Sequence, residues 1–259
     1  MSTAYLPDGN GPEFEVVQPG SDVRVRLPGA VAATRTHCAG GPLDPMTWSE
    51  SVPLPGGRLL LGVGRLADWR GAETACLATR ETIHAMALAG EDLSEILGRQ
   101  GRIHDDASGS MAGVYAIVEP DGEWTQVAMV GTEASLWHLS PIGIEQQVIG
   151  PSPSEEIPER RIRSREGETL VGLVNDRSWR RILLPTVRQI VSVDLGPSGS
   201  EQSAVALCGR LYWALQPGAA AFAVKRIAAR TDGRPLTPGT AITPERRPGS
   251  QRAAPVGHT

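Results

Sequence analysis

Aromatic residues are scarce in this chain, at 4% of 259 residues. No apolar run approaches the ~20 residues that a membrane-spanning helix needs, and the N-terminus MSTAYLPDGNGPEFE lacks the basic and then apolar order of a secretory signal. Cysteine is scarce too: Cys38, Cys76 and Cys208 are odd in number and widely spaced, which fits neither a disulfide framework nor a CxxC metal site. We therefore expect buried free thiols in a cytoplasmic protein without a membrane segment.

An excess of charge of one sign is also lacking. The formal net charge is −4 at pH 7, which provides no long-range attraction to nucleic acid or to anionic lipid. Hydrophobic residues, at 40%, suffice for a core, while 30 glycines and 21 prolines place much of the chain in turns. We expect a folded protein that binds neither nucleic acid nor a membrane.

Both ends of the chain are polar and rich in glycine and proline. Residues 1–12 include two glycines and two prolines, and residues 231–259 contain five prolines and almost no apolar run. Such segments bury too little apolar surface to offset the entropy of ordering, so we expect both to be disordered. Residues 13–230 are then predicted to form the folded domain.

The first half of this domain combines strand and helix patterns. Alternation with a period of two predicts strands at EFEVVQ, DVRVRL and AVAATRTH, and the apolar run RLLLGVG predicts a central strand. Helical spacing predicts two antiparallel helices, at 71–88 and 91–100. A meander of strands is predicted next, at MAGVYAIVE, EWTQVAMVG and ASLWHLS, with a hairpin turn at 120–122.

The second half of the domain has a less regular pattern of apolar residues. The charged segment GPSPSEEIPERRIRSREGE is predicted as an exposed loop and TLVGLVN as a strand. The run SWRRILLPTVRQIVSV is predicted as a helix interrupted at Pro185, SAVALCGRLYWAL as a strand, and AAAFAVKRIAAR as a helix. This order favours an α/β (α+β) arrangement in which helices cover antiparallel sheets, not βαβ alternation.

Three segments carry motifs in a fixed order, at 63–76 (VGRLADWRGAETAC), at 108–137 (SGSMAGVYAIVEPDGEWTQVAMVGTEASLW) and at 166–179 (EGETLVGLVNDRSW). They are similar to the strand-to-helix motif, the hairpin with its following V-G-D-S-R strand, and the G-D-x-L-L-L-x-S-D-G motif of one family. On these motifs the chain resembles the type 2C, metal-dependent serine/threonine protein phosphatases. The resemblance implies an α-β-β-α sandwich, with two antiparallel sheets flanked by helix pairs.

The family's chemistry needs two divalent ions, such as Mn²⁺ or Mg²⁺, held among clustered Asp carboxylates. By the resemblance, Arg65 stands where the Asp that bridges both metals is expected, and it brings a permanent positive charge to that point. We therefore expect no dinuclear metal centre and no cofactor. Arg65 is expected instead to close the cleft by pairing with Asp176.

Some of the family's site residues do have counterparts here. Asp176 matches a metal-binding Asp, and Asp68 follows Arg65 closely enough to substitute in part. The last metal-binding Asp of the family aligns with Glu201 or, less well, with Asp232, and we take Glu201 as the candidate. Asp68, Asp176 and Glu201 are thus the metal-ligand candidates, and they could hold one Mn²⁺ or Mg²⁺ ion. Arg35 aligns with the arginine that grips the substrate phosphate, although an ordinary solvated arginine at a strand end is an equal alternative.

Several function hypotheses follow from these departures. The leading one is a catalytically impaired pseudophosphatase that acts as a binding or regulatory module in bacterial-type serine/threonine phospho-signalling, with a kinase or a phosphoprotein as partner. The second is an active or residual metal-dependent phosphoprotein phosphatase with a one-metal site. The third is a structural or assembly protein that retains only the fold.

Other polar clusters favour structural roles. The run His104-Asp105-Asp106 is predicted as a solvated loop and not as a cation site, and His84 and His138 as structural residues. The arginines of 160–165 are interspersed with glutamates, so a solvated loop is favoured over a basic patch there; a second basic run lies at 179–181.

Overall fold

The computed structural model describes residues 12–18, 22–37, 46–67, 72–106, 109–140, 145–149, 159–175, 183–191 and 201–228. The predictions of disorder at 1–12 and 231–259 lie outside the described residues, except for Pro12. Among the helices in these ranges, none is both long and apolar enough to cross a membrane.

In chain order the elements are β1 (Glu13–Gln18), β2 (Asp22–Leu27), β3 (Ala30–His37), β4 (Thr47–Pro53), β5 (Leu59–Ala67), α1 (Ala72–Leu88), α2 (Leu93–Asp106), β6 (Ser110–Val118), β7 (Trp124–Val130), β8 (Ala134–Leu139), β9 (Glu145–Ile149), β10 (Glu159–Arg163), β11 (Thr169–Val174), α3 (Leu183–Val191), α4 (Glu201–Ala214) and β12 (Ala219–Arg226). Within the described ranges the strands form a seven-stranded sheet of order β1-β2-β3-β12-β11-β8-β9 and a five-stranded sheet of order β10-β7-β6-β5-β4. All strand pairs are antiparallel.

Three apolar clusters hold four layers together. One lies between the sheets and includes Val114 and Phe222. The second joins α3 and α4 to the outer face of the seven-stranded sheet, and the third joins α1 and α2 to the outer face of the five-stranded sheet. The expected sandwich of two antiparallel sheets flanked by helix pairs is therefore confirmed. Cys76 and Cys208 are buried free thiols, as predicted, and Cys38 lies outside the described residues.

Apart from Arg65, strand β5 consists of apolar residues and glycine. Leu61 and Val63 face the other sheet, while Leu60 and Leu66 face the helices, so both faces of this strand are buried. Its two glycines make room for aromatic rings on the helix side. A Cβ at Gly62 would lie 2.2 Å from Tyr115 Cε1, and one at Gly64 would lie 2.1 Å from Trp48 Cζ2.

The predicted three-stranded meander is half right. β6 and β7 form the hairpin, and its turn bonds Gly122 N–H to Glu119 O at 2.8 Å, with Gly122 at a φ of 66° that favours glycine. β8 does not continue this sheet. It pairs with β11 and β9 in the seven-stranded sheet, so the chain changes sheets between Val130 and Ala134.

Two assignments near the C-terminus were wrong. The segment predicted as a strand is α4, whose buried residues Leu207, Cys208 and Leu211 recur at helical spacing. The segment predicted as an alanine-rich helix is β12, a central strand with both faces buried: Ala221 packs on the helices and Phe222 on the other sheet. Small apolar residues on two buried faces give a continuous run that does not distinguish strand from helix.

Three smaller corrections concern element ends. Part of the predicted exposed loop, at 159–163, is the edge strand β10. In the described part of the predicted helix, 183–191, Pro185 causes no interruption, because it lies in the first turn of α3, where no backbone N–H donor is needed. The predicted helix pair is present, but α2 continues to Asp106, beyond the expected end at 100.

Candidate functional site

The candidate site is the end of the cleft between the two sheets where β5 ends. Arg65 is paired with Thr47 of β4 and Ala112 of β6 in the five-stranded sheet. Its side chain faces the seven-stranded sheet, because Leu61 and Val63, four and two residues earlier, pack between the sheets. The alternation of side chains along β5 therefore directs Arg65 into the cleft.

Arg65 connects the two sheets at this end. Its Nη1 donates a hydrogen bond of 3.1 Å to the carbonyl oxygen of Gly218, which immediately precedes β12. Its Nε lies 3.6 Å from Oε2 of Glu133, which immediately precedes β8. The two side chains are 15% and 12% exposed, so the charge pair is largely shielded from water.

The described residues of the cleft do not fit a pair of divalent cations. Across the described ranges, no three His, Cys, Asp or Glu residues are grouped closely enough to hold a metal ion. Hard cations need several oxygen ligands, yet the carboxylate of Glu133 is already paired with a guanidinium whose fixed charge repels a cation.

The acids proposed as metal ligands are not among the described side chains. Asp68 and Asp176 lie outside the described residues, and Glu201 begins α4 with a side chain that is likewise not described. The Arg65–Asp176 pair therefore stays a prediction. Asp176 follows Asn175, whose backbone N–H donates to Glu133 O at 3.2 Å, next to the carboxylate that Arg65 contacts.

Arg35 lies on the opposite face of the seven-stranded sheet from this cleft. Its neighbours Thr34 and Thr36 point between the sheets, where their hydroxyls bond Ser51 and Ser49 of β4. Arg35 points to the helices, and its Cζ lies 3.8 Å from the centroid of the Tyr212 ring on α4. The structure does not bring Arg35 and Arg65 together, and phosphate binding by Arg35 stays a prediction.

His104 was wrongly predicted to lie in a solvated loop. It belongs to α2, is 3% exposed, and its Nε2 lies 2.8 Å from Thr79 Oγ1 of α1. The signal in the sequence was its spacing, because His104 follows the buried Leu93, Leu97 and Gln100 along one helix face. The side chains of Asp105 and Asp106 lie outside the described part.

Glu50 of β4 is a buried carboxylate that was not predicted from the sequence. Its Oε2 lies 2.7 Å from His84 Nε2 and 3.2 Å from Arg80 Nε, so two side chains of α1 attach this helix to the edge strand. The alternation in TWSESVP, with Trp48 on the same face, was the available signal. The structural role predicted for His84 is confirmed, as it is for His138, whose Nε2 lies 2.9 Å from Glu168 Oε2.

Tyr115 lies beside this carboxylate under α1. Its hydroxyl accepts a 2.9 Å hydrogen bond from Trp48 Nε1. Complete burial raises the pKa of Tyr115 well above its ordinary value, and the nearby negative charge of Glu50 raises it further. Tyr115 therefore remains protonated in the folded protein at pH values where an exposed tyrosine ionises.

Two of the arginines of 160–165 make local side-chain contacts. The guanidinium groups of Arg161 and Arg163 lie 4.8 Å and 5.7 Å from the centroid of the Trp124 ring, and Arg163 Nε lies 2.6 Å from Glu123 Oε1. These contacts belong to an edge strand and not to a solvated loop. The second basic run, 179–181, lies outside the described residues.

No protein-family model and no curated protein matches this sequence. Solved structures do share its fold. The crystal structure of the RsbU and RsbW domains of a Mycobacterium tuberculosis protein aligns with a TM-score of 0.62 and 18% identity over 79% of this chain. The match covers 63% of that chain, so the present chain spans less than two thirds of it.

Two further structures align over more of the present chain. RsbX in complex with magnesium gives a TM-score of 0.55 and 10% identity over 84% of this chain and 100% of that one. The PP2C phosphatase domain of SpoIIE from Bacillus subtilis, with a fragment of its regulatory domain, aligns with a TM-score of 0.55 and 11% identity. This alignment covers 83% of the present chain and 70% of that one. At these identities the likeness is one of fold.

Proposed function

Because this chain has the fold of type 2C phosphatase domains, we propose that it is a pseudophosphatase, a catalytically impaired binding or regulatory module in phospho-signalling. One observation carries this proposal: the guanidinium of Arg65 occupies the cleft end and is paired there with Glu133 and with the carbonyl of Gly218. A fixed cation at this point opposes the binding of two divalent ions, on which hydrolysis by this fold depends.

The partner in this proposal is a protein, a kinase or a phosphoprotein of the cytoplasm. The solved SpoIIE structure contains a fragment of SpoIIE's own regulatory domain beside its phosphatase domain, so this fold occurs together with a regulatory protein segment. Fold alone does not define a function, so the proposal depends on the chemistry of the cleft.

The proposal is tested by titrating the chain with Mn²⁺ in a calorimeter and by following p-nitrophenyl phosphate hydrolysis at the same metal concentrations. We expect no binding or one weak millimolar site, and no hydrolysis above that of the buffer. The variant Arg65→Asp is expected to bind Mn²⁺ at least about tenfold more tightly, because it replaces a repelling charge with an oxygen ligand.

The matched control is Arg102→Glu, which makes the same change of charge at an exposed position of α2. It should leave Mn²⁺ binding as in the parent chain. Two micromolar Mn²⁺ sites with metal-dependent hydrolysis in the parent chain would contradict the proposal. An Arg65→Asp variant that binds Mn²⁺ no better than Arg102→Glu would show that Arg65 is not what closes the cleft.

A further inference from the structure

The inner face of β4 carries hydroxyl groups in place of apolar side chains. Its inward positions are Thr47, Ser49 and Ser51, and two hydroxyls of β3 lie opposite them. Thr36 Oγ1 donates a hydrogen bond of 2.9 Å to Ser49 Oγ, and the hydroxyl oxygens of Thr34 and Ser51 are 3.3 Å apart. Among the described residues, β4 contributes no side chain to the apolar cluster between the sheets. We call these five residues the hydroxyl seam.

The opposite side of the sandwich is joined by apolar side chains. There β7 supplies Val127 and Met129 to the cluster between the sheets, and the edge strand β10 supplies Ile162. The chain also crosses between the sheets on this side, through the short connections 131–133 and 164–168. Separating the sheets there would expose apolar surface to water, whereas a hydroxyl pair exchanges its partner for water at little cost. The side of β3 and β4 is therefore the weaker one.

The hydroxyl seam ends in a group that lacks a partner. Thr47 is 5% exposed, and its Oγ1 is buried without a hydrogen bond to any residue that the structure describes. Thr47 is the cross-strand neighbour of Arg65, so the two side chains lie on the same face of the sheet. A buried hydroxyl without a partner is unfavourable, and it would regain a hydrogen bond if water entered the seam. Thr47 therefore favours an open state of this side.

Arg65 holds the same end of the seam closed. Its Nη1 donates to Gly218 O at 3.1 Å, and its Nε lies 3.6 Å from Glu133 Oε2. Gly218 N–H in turn donates to His37 O, at the end of β3, at 2.6 Å. Arg65 thus connects β5 to the backbone beside β3 through polar contacts alone. Such contacts can be broken without exposing an apolar surface.

We propose that the hydroxyl seam is a gate of the sandwich, along which β3 and β4 separate locally to admit water and small polar solutes to the end of the cleft, with Arg65 as its latch. The helix side of β4 stays in place during this opening. Glu50 attaches it to α1, and Trp48 Nε1 donates a hydrogen bond to the hydroxyl of Tyr115. β4 therefore moves together with its own sheet and helix, and the seam alone becomes hydrated.

The gate is tested by labelling engineered cysteines in the full chain. Thr34→Cys places a thiol in the seam, and Val127→Cys places one on the far side; both parent residues are 0% exposed. The thiols are labelled with methyl methanethiosulfonate in the presence of EDTA, and peptide mass spectrometry separates them from the native cysteines.

The two thiols should react by different routes. We expect the seam thiol to react at least about tenfold faster, with a rate that depends little on urea, because a local opening exposes little surface. Val127→Cys should react only through global unfolding, with the full urea dependence. Thr36→Cys provides a second seam position if Thr34→Cys does not fold.

The latch is tested by Arg65→Ala in the background of the seam cysteine. This substitution should speed the labelling at least about tenfold while its urea dependence stays weak. The matched control is Arg163→Ala, which removes a paired arginine from the edge strand on the far side. It should leave the labelling rate unchanged.

The role of the buried hydroxyl is tested by Thr47→Val. This substitution should slow the labelling of the seam cysteine at least about threefold, because a methyl group gains nothing from water. The matched control is Thr125→Val, on β7, which also removes a buried hydroxyl without a hydrogen bond to any described residue. It should leave the labelling of the seam unchanged.

Three results would overturn the proposal. Seam cysteines that react as slowly as Val127→Cys, with the same urea dependence, would mean that the seam opens only when the protein unfolds. Equal acceleration by Arg65→Ala and Arg163→Ala, or equal effects of Thr47→Val and Thr125→Val, would remove the latch or the driving group. Because labelling is done without metal, a chain that binds two Mn²⁺ ions against the proposed function could still open here, and a closed seam leaves that function standing.

Discussion

At the scale of single residues, the apolar layer under α1 contains a buried carboxylate and several hydrogen-bonded side chains. The side chain of Glu50 is 2% exposed, and its carboxylate contacts the guanidinium of Arg80 and the imidazole of His84 on the helix. Tyr115 and Trp48 fill the space that Gly62 and Gly64 leave open on the neighbouring strand. A buried carboxylate without such partners would be costly, so the charges of α1 fix where this helix lies on the sheet.

Tyr115 makes the stability of the protein depend on alkaline pH. Its pKa is raised in the folded state, so the unfolded chain releases this proton first as pH rises. The contribution to stability is complete below about pH 10, where an ordinary tyrosine ionises, and is lost as pH rises above that value. The free energy of unfolding, measured in urea, should therefore fall above about pH 10 more steeply in the parent than in Tyr115→Phe.

The absorbance of tyrosinate provides the control for this prediction. The chain has three tyrosines, and near pH 10 the folded parent and folded Tyr115→Phe should show equal tyrosinate absorbance, because Tyr115 stays protonated. In urea at the same pH, the unfolded parent should show more tyrosinate absorbance than unfolded Tyr115→Phe, because Tyr115 then ionises normally. An excess of tyrosinate in the folded parent would mean that Tyr115 ionises normally.

At the scale of the element, replacing glycine by alanine should have opposite effects at a crowded strand position and at an open helix position. Gly62→Ala places a methyl group 2.2 Å from the Tyr115 ring and should lower the free energy of unfolding by about 1–3 kcal/mol through overpacking. Gly209→Ala, in open space on α4, should raise it by about 0.5–1 kcal/mol through helix propensity. Urea unfolding of both variants checks the pair. Equal effects would mean that the close approach at Gly62 is relieved without cost.

The elements also show what the sequence could predict. Strands with one buried face, such as β2, and the α1–α2 pair have unambiguous periods and were found. Helix α4 was predicted as a strand and strand β12 as a helix. Aromatic and β-branched residues in 203–215 favour a strand locally, whereas the packing of Leu207 and Leu211 selects a helix. Tertiary burial, which the local pattern does not contain, decided both cases.

The candidate site was predicted in part for a related reason. The position of Arg65 at the end of β5 followed from the strand pattern, and the structure places it in the cleft. Its observed partners Glu133 and Gly218 were not predicted, because they come from loops of the other sheet. Glu133 reaches Arg65 only because the chain changes sheets before β8, and nothing in the local sequence marks that change.

At the scale of the whole molecule, Arg65 is a charged connection between the sheets, which are also joined by apolar contacts and by the hydroxyl pairs of β3 and β4. Arg65→Ala should lower the free energy of unfolding by about 1–3 kcal/mol, because it leaves Glu133 partly buried without its cation. A double-mutant cycle with Glu133→Gln, followed by urea unfolding, should give a coupling above about 0.5 kcal/mol.

The exposed pair of Arg99 and Glu91, joined at 3.2 Å near the start of α2, is the matched control. Its coupling should stay below about 0.5 kcal/mol, because water and salt screen it. If both pairs couple equally, the shielding of the Arg65 pair has no energetic consequence.

The pairing of β3 with β12 has a consequence for how the molecule is made. These neighbours in the centre of the seven-stranded sheet come from opposite ends of the folded region, Ala30–His37 and Ala219–Arg226. During synthesis the hairpin of β6 and β7 is complete long before β12 leaves the ribosome, whereas β3 must wait with one edge unpaired. Pairing across so long a stretch of chain is slow to form, and an open, apolar edge is prone to wrong partners. The last strand of the fold therefore acts as the closing step of its assembly, and a chain released before β12 would expose the edges of both β3 and β11.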